Sequence, residues 1–238
     1  MNVIAMVPAR MGSERLPIKN LALLNGKPLI SYAVEAAKTS GVFSRVVVNS
    51  DGDVFENVAQ RQGVEFYLRP AELGSSETKS DEVVYDFMQK NPCDAVAWVN
   101  PTSPLQTGAE VRDVVNYFFE QQLDSLVTVD NKQVHCVYGG KPLNFQVEEP
   151  FAKTQDLEPV QPFVYSVMIW RTQSFMEAYE RQGHALLSGK LGYYPVSKET
   201  SVIIKTDVDL MIAESVLKAN AGAQGYQVLY DELASVVP

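Results

Sequence analysis

The chain has 238 residues, 46% of them hydrophobic and 21% charged, with a formal net charge of −9 at neutral pH. That length suits one large domain with a substantial core, and the acidic balance excludes the broad basic face that general nucleic-acid or anionic-membrane binding needs. No stretch approaches the roughly 20 apolar residues of a membrane-spanning helix, and two widely separated cysteines, Cys93 and Cys136, fit no metal-type spacing and suit a reduced, cytoplasmic protein.

From the N-terminus, residues 3–7 read as a strand whose apolar run is too short for a signal-peptide core and is cut by Pro8 and Arg10. Residues 28–39 read as a helix with Leu29, Ile30, Ala33, Val34 and Ala37 on one face. Residues 45–50 form a second strand, residues 53–63 a helix closed by Gly63, and residues 64–68 a short strand. A Ser/Asp start opens a helix over residues 80–90. Residues 94–100 are almost continuously apolar, as in a strand buried on both faces. Helix 108–122 and strand 125–129 continue the alternation. It implies an α/β fold with a mostly parallel, doubly wound sheet, in which ligands bind beyond the carboxyl ends of the strands.

The rhythm fails between residues 131 and 162, which are rich in Gly, Pro, Gln and Glu and contain the hairpin-like "YGGKPLNF". This segment is expected to be a small insertion in a single domain spanning 1–238, serving as an acceptor lid or a subunit contact. Strand 163–170, helix 172–182, strand 191–196 and helix 207–221 complete the pattern.

The chemistry concentrates at the first strand's end, in "VPARMGSERLPIKN". A glycine-containing turn after a strand turns backbone N–H groups outward, and Arg10, Arg15 and Lys19 add cations suited to a polyphosphate. An ordinary solvated turn is the competing reading. The Walker spacing and the dinucleotide G-x-G-x-x-G are both absent.

This stretch, with "LRPAEL", "NPTSPLQT" and "TQDLEP", resembles the acylneuraminate cytidylyltransferase family, densely to about residue 105 and more thinly beyond. The opening motif matches at Pro8, Ala9, Arg10, Gly12, Ser13, Arg15, Pro17, Lys19 and Asn20, departing at Met11 and Glu14. The resemblance implies a loop that wraps the triphosphate of CTP, with Arg10, Arg15 and Lys19 neutralising charge as CMP passes to an acidic, nonulosonic acid-like sugar and pyrophosphate leaves. Glu14, where the family commonly has lysine, is expected to face solvent or pair with a cation. Arg69, Ser80 and Asn100 fall at nucleotide positions. On their residue types alone, Arg69 reads as an exposed arginine after a strand and Ser80 as a helix cap. Thr102, Ser103, Gln106, Gln155 and Asp156 fall in acceptor-side motifs, with Lys153, Arg171 and Lys205 as further cations for an acidic acceptor. The resemblance also implies a homodimer through the 131–162 segment.

The departures lie mostly in the second half. Asn100 and Gln106 stand for Gln and Arg, Thr154 for an arginine, and the family's Asn-Gly pair is missing from "FVYSVMIW". Ile203 and Lys205 occupy the places of two Mg²⁺-binding aspartates, while Asp207 and Asp209, at the same spacing four residues later, are candidates that could equally be first-turn acids of a helix. Mg²⁺ is therefore expected to arrive mainly on CTP, or Lys205 to supply charge in its place. The acceptor stays open between an acidic sugar and another anion such as a phosphonate, and so does a non-catalytic CTP-binding role. His135 and His184 have no ligand partners in sequence and read as surface or hydrogen-bonded histidines.

Overall fold

In a computed structural model, which describes residues 1–13, 15–221 and 228, the alternation folds as the sequence pattern implies. The elements in order are β1 (Val3–Ala9), the hairpin β2 (Leu23–Leu24) and β3 (Lys27–Pro28), α1 (Leu29–Ser40), β4 (Arg45–Ser50), α2 (Val54–Gln62) and β5 (Glu65–Leu68). They continue with α3 (Ser80–Lys90), β6 (Ala95–Val99), α4 (Gly108–Glu120) and β7 (Ser125–Val129). The hairpin β8 (Val137–Tyr138) and β9 (Lys141–Pro142) lies in the excursion, followed by β10 (Phe163–Arg171), α5 (Thr172–Gln182), β11 (Leu191–Pro195) and α6 (Asp207–Asn220).

Seven strands form one sheet in the order β11-β7-β10-β6-β1-β4-β5. Side chains alternate across it with the strand period of two. Ile4 and Met6 pack with Val84 and Phe87 of α3 and Phe175 of α5. Ala5, Val7 and Ala9 face the other way, onto Ile30 and Val34 of α1 and Phe55 of α2. α4 covers the rest of that second face through Val111, Val114 and Phe118. α6 packs separately, through Ala213, against Leu24, Leu29 and Leu105.

One feature departs from pure parallel pairing. β10 runs antiparallel between β6 and β7, and its register with β7 shifts between Phe163 and Met168. Tyr165, within that shift, has φ +58°, a left-handed conformation that costs a bulky residue energy. The antiparallel insertion puts the start of β10 beside the end of β6: the Asn100 N–H donates to the Ser166 carbonyl at 2.8 Å.

From β1 the chain winds outward through β4 and β5, then crosses back to β6 on the other side of β1. This reversal opens a crevice at the carboxyl ends of β1 and β6, the position where doubly wound sheets bind ligands. The 131–162 excursion is closed at its base by reciprocal backbone hydrogen bonds between Lys132 and Val160, both 3.0 Å. Within it Asn144 accepts from the Cys136 N–H and donates to the Val134 and Glu158 carbonyls.

Candidate functional site

A cleft of about 290 Å³ occupies the crevice. Its first wall is the strand-end stretch: Pro8, Arg10, Gly12, Ser13, Arg15, Lys19 and Asn20 all line it. Glu14 lies outside the described residues. Ala9 differs from its expected role, because strand alternation turns its side chain into the core opposite α1, fully buried. Lys19 is the half-buried cation of this wall. Burial lowers its pKa from the ordinary value, and Arg15 and Arg10 lower it further, with Asp209 acting in the opposite direction. Its ammonium donates to the Ile204 carbonyl at 3.2 Å, which ties this wall to the segment before α6.

The second wall comes from the segment after β5 and the start of α3, with Arg69, Leu73, Ser75, Thr78, Ser80 and Val83. Arg69 is buried at 4% exposure, contrary to the surface arginine its residue type alone suggests. Its guanidinium pairs with Asp51 at 2.9 Å and reaches the Asn49 carbonyl at 3.4 Å, while its Nε has no partner among the described residues. Burial lowers the pKa of Arg69, and Asp51 offsets that cost. The same Asp51 carboxylate accepts the Met11 N–H, with oxygens at 3.2 and 3.4 Å, so one acid holds both walls. It fits there because position 74 is glycine: a Cβ on Gly74 would sit 2.3 Å from Asp51 Oδ2.

Ser80 is the first helical residue of α3, after Lys79 as cap, so it is not the side-chain cap that its type suggests. Asp81 anchors this helix start: it is buried and accepts the Ala185 and Leu186 N–H groups at 2.6 and 3.0 Å. The amino end of α3 therefore borders the cleft, where its dipole favours negative charge.

The floor is the end of β6: Trp98, Asn100 and Thr102. Asn100 Oδ1 accepts from the Thr102 N–H and hydroxyl at 3.1 and 2.9 Å, which shapes the turn. The Trp98 indole N–H has no partner among the described residues.

The remaining acceptor-side candidates do not gather here. Ser103 is fully buried with an unpartnered hydroxyl. Gln106 is buried too, donates to the Asn100 carbonyl at 2.9 Å and lines a different cavity beside Glu110 and Ser197. Gln155 and Asp156 lie on an exposed single turn, Thr154–Asp156, in the excursion, and Asp156 lines a pocket there with His135. Lys153 precedes that turn. Arg171 pairs with Ala95 at the opposite end of the sheet, where it donates to the Leu123 carbonyl and lies over Phe118 and Phe119; the antiparallel run of β10 carries it away from the cleft. His184 is exposed, whereas His135 is half-buried and stacks on Phe151 at 4.0 Å, with no partner for its Nε2 among the described residues.

The start of α6 carries the two candidate metal ligands, Asp207 and Asp209. Thr206 and Asp209 form a capping box: Asp209 Oδ2 accepts from the Lys205 N–H (2.9 Å), the Thr206 N–H (2.7 Å) and the Thr206 hydroxyl (2.9 Å). Burial raises the Asp209 pKa, but these hydrogen bonds outweigh it and the net shift is downward. Asp207 is exposed and accepts the neighbouring Val208 N–H. Both serve the helix start. Among the described residues no group of three or more His, Cys, Asp or Glu could hold a metal ion, and none of the cleft-lining residues is an acid.

Asp51, Trp98, Ser75 and Thr78 are site residues that sequence reasoning missed. Asp51 left a usable signal, an acid immediately after a strand in the sheet's ligand-binding end; Ser75 and Thr78 sat in a Ser/Thr-rich stretch readable only as a loop.

The cytidylyltransferase family model matches residues 4–219. The chain is 24% identical over 220 residues to the N-acylneuraminate cytidylyltransferase of Streptococcus agalactiae serotype V, covering 89% of this chain and 52% of that protein. It is 27% identical over 223 residues to that of Oncorhynchus mykiss, with coverage of 90% and 50%. The chain thus spans about half the length of these relatives. Among solved structures, a CMP:2-keto-3-deoxy-manno-octonic acid synthetase complexed with CTP superposes with a TM-score of 0.68 at 15% identity, covering 92% of this chain and 99% of the other. A 4-diphosphocytidyl-2C-methyl-D-erythritol synthase from Anaerococcus prevotii gives 0.66 at 10% identity, covering 91% and 98%. Both share the fold.

Proposed function

The chain belongs to the cytidylyltransferase family, and on that premise we propose that it transfers CMP from CTP to an acidic sugar of the nonulosonic type, releasing pyrophosphate. The observation that carries this reading is the cleft at the β1/β6 crevice, where Arg10, Arg15 and Lys19 face the amino end of α3 across a polar floor. Three cations on one wall suit a triphosphate, and the buried Arg69 and half-buried Trp98, with Ser80 at the exposed start of α3, suit a base and sugar.

In the proposed reaction an acceptor hydroxyl oxygen bonds to the α-phosphorus as the bond to the bridging oxygen of the β-phosphate breaks. The hydroxyl proton passes to solvent and the electron pair leaves with pyrophosphate. Such a transfer asks the protein for alignment and for neutralisation of charge on the leaving phosphates. Arg10, Arg15 and Lys19 supply that charge. The Lys19–Ile204 and Asp51–Met11 hydrogen bonds hold the loop in place, so little reorganisation accompanies the step.

A second reading is transfer to another anion such as a phosphonate: Arg171, a candidate cation for a sugar carboxylate, stands at the far end of the sheet and away from the cleft. Pyrophosphate release from CTP with N-acetylneuraminate, 3-deoxy-manno-octulosonate and 2-aminoethylphosphonate separates the two. Release with a carboxylate sugar alone supports the first reading. Release with the phosphonate alone supports the second. CTP binding without release from any acceptor would favour a non-catalytic CTP-binding protein.

The proposal extends to assembly and location. Val137, Tyr138, Val147 and Phe151 are 67–82% exposed on the excursion, an apolar concentration of the kind that marks a protein contact, and a homodimer through this surface is the reading adopted. A cytoplasmic location is proposed from the cellular CTP the reaction draws on; separately, no helix among the described residues is long and apolar enough to cross a membrane.

A further inference from the structure

We propose that a second pocket, beside the cleft and on the same face of the sheet, receives an uncharged, apolar substituent of the acceptor, an acyl chain carried away from the reacting hydroxyl. The inference rests on the CMP-transfer reading above and names what the acceptor presents to this chain.

The pocket holds about 470 Å³ and is lined by Phe163, Tyr165 and Met168 of β10 and by Leu186 and Leu187 of the loop after α5. Gln182, His184 and Ser188 line it too, and supply polar groups for the amide that joins such a chain to a sugar. Three adjacencies join it to the cleft. Asp81 lines the pocket while its neighbour Ser80 lines the cleft. Met168 of the pocket stands opposite Trp98 of the cleft floor in the pairing of β10 with β6. Tyr165 precedes Ser166, whose carbonyl accepts the Asn100 N–H at 2.8 Å. A nucleotide in the cleft has this pocket at its side, and an acceptor lying across the floor extends into it.

The walls of the pocket are specifically built. In an unbroken strand residues 163, 165 and 167 share one face and residue 168 takes the other. Here Val167 packs with α4 and Met168 with α3 and α5, and the register shift between Phe163 and Met168 brings Phe163 to the Met168 side. Tyr165 takes its left-handed φ of +58° within that shift. Strained backbone of this kind persists where a site needs a side chain re-aimed. The Tyr165 ring meets Phe163 edge-on at 5.5 Å and is 44% exposed, an aromatic rim open to a ligand. The opposite wall is fixed as well. Buried Asp81 accepts the Ala185 and Leu186 N–H groups at 2.6 and 3.0 Å, which holds the loop that carries the exposed Leu187. An apolar chain entering between these walls releases water, worth roughly fourfold in affinity for each methylene buried.

The test reads binding and needs no turnover. The full chain is saturated with α,β-methylene-CTP, in which a methylene replaces the oxygen whose bond would break. It is then titrated calorimetrically with 3-deoxy-manno-octulosonate, N-acetylneuraminate and N-butanoylneuraminate, for the native protein and for Leu187→Ser and Tyr165→Gly. The expected result is that the butanoyl sugar binds about tenfold more tightly than the acetyl sugar, and the sugar without an acyl group most weakly. Both variants are expected to bring the two acyl sugars within about twofold of each other. Thermal melts of the unliganded variants verify folding: Leu187 is exposed, and glycine takes a positive φ without strain. Equal affinity for the three sugars, or no sugar bound while the nucleotide analogue binds, overturns the inference and leaves the CTP reading standing. A butanoyl preference that survives in both variants overturns the assignment to this pocket. Absence of binding by the nucleotide analogue overturns the CTP reading, and the inference with it.

Discussion

Asp51 and Lys19 show how single residues set the site's behaviour. Asp51 compensates a guanidinium that is 4% exposed and at the same time holds a loop N–H. Asp51→Ala is expected to lower stability by about 3–5 kcal/mol, because it strands a buried charge, and to weaken CTP binding through both walls. Asp51→Asn keeps an acceptor for Met11 and loses less. Denaturant melts and CTP titrations measure both; equal loss in the two variants would show that the charge on Asp51 is unimportant. Lys19 has the reverse character. Its depressed pKa means that the folded state disfavours its charged form, so the penalty is fully present below its folded pKa and fades as pH rises through that value towards the unfolded one. Lys19→Met is therefore expected to weaken CTP binding more than tenfold, about the value of one charge-assisted contact. Any stability gained over the native protein should shrink with rising pH. A gain that grows with pH would contradict the assignment.

At the scale of elements, α6 opens on a capped turn. The Thr206–Asp209 box uses Asp209 as a helix acceptor. Asp209→Ala is expected to cost about 1 kcal/mol, as for other lost caps. Because the Asp209 pKa is lowered, its contribution is present above the unfolded carboxylate pKa and is lost as pH falls through the folded value. Chemical denaturation of the variant and the native protein over acid pH follows this, and a difference that persists below that range would exclude the charged form. β10 makes the complementary point. Its antiparallel insertion takes Arg171 to the far edge and brings Ser166 under Asn100, so one strand direction removes a candidate cation from the cleft and supports the floor.

For the whole molecule, the cleft and the excursion are separate features: no excursion residue lines the cleft. Their functions are accordingly expected to separate. Sedimentation of the native chain should show the proposed dimer, and Phe151→Asp, which places a charge on a side chain 82% exposed, should yield monomers that still bind CTP. A monomeric native chain across micromolar concentrations would rule out this use of the surface.

The amino-acid sequence by itself determined the α/β alternation, because strand and helix periods are local and nearly every element boundary falls within two residues of its pattern. It also determined which residues of the first strand-end loop meet at the cleft, since Arg10, Gly12, Ser13, Arg15 and Lys19 line it from one contiguous stretch. Residues whose role depends on a distant partner were not legible in that way. Arg69 looked exposed until Asp51, 18 residues away, accounted for its burial. Ser103, Gln106, Gln155 and Asp156 shared motifs with cleft residues, yet turn geometry and the excursion direct them elsewhere. Ile204 meets the strand-end loop through its bond with Lys19, which spans 185 residues. Periodicity records which way a side chain faces within its own element; which charges meet across a cleft is decided by how the sheet winds, and β10 reversing between β6 and β7 is a tertiary choice that no local pattern encodes.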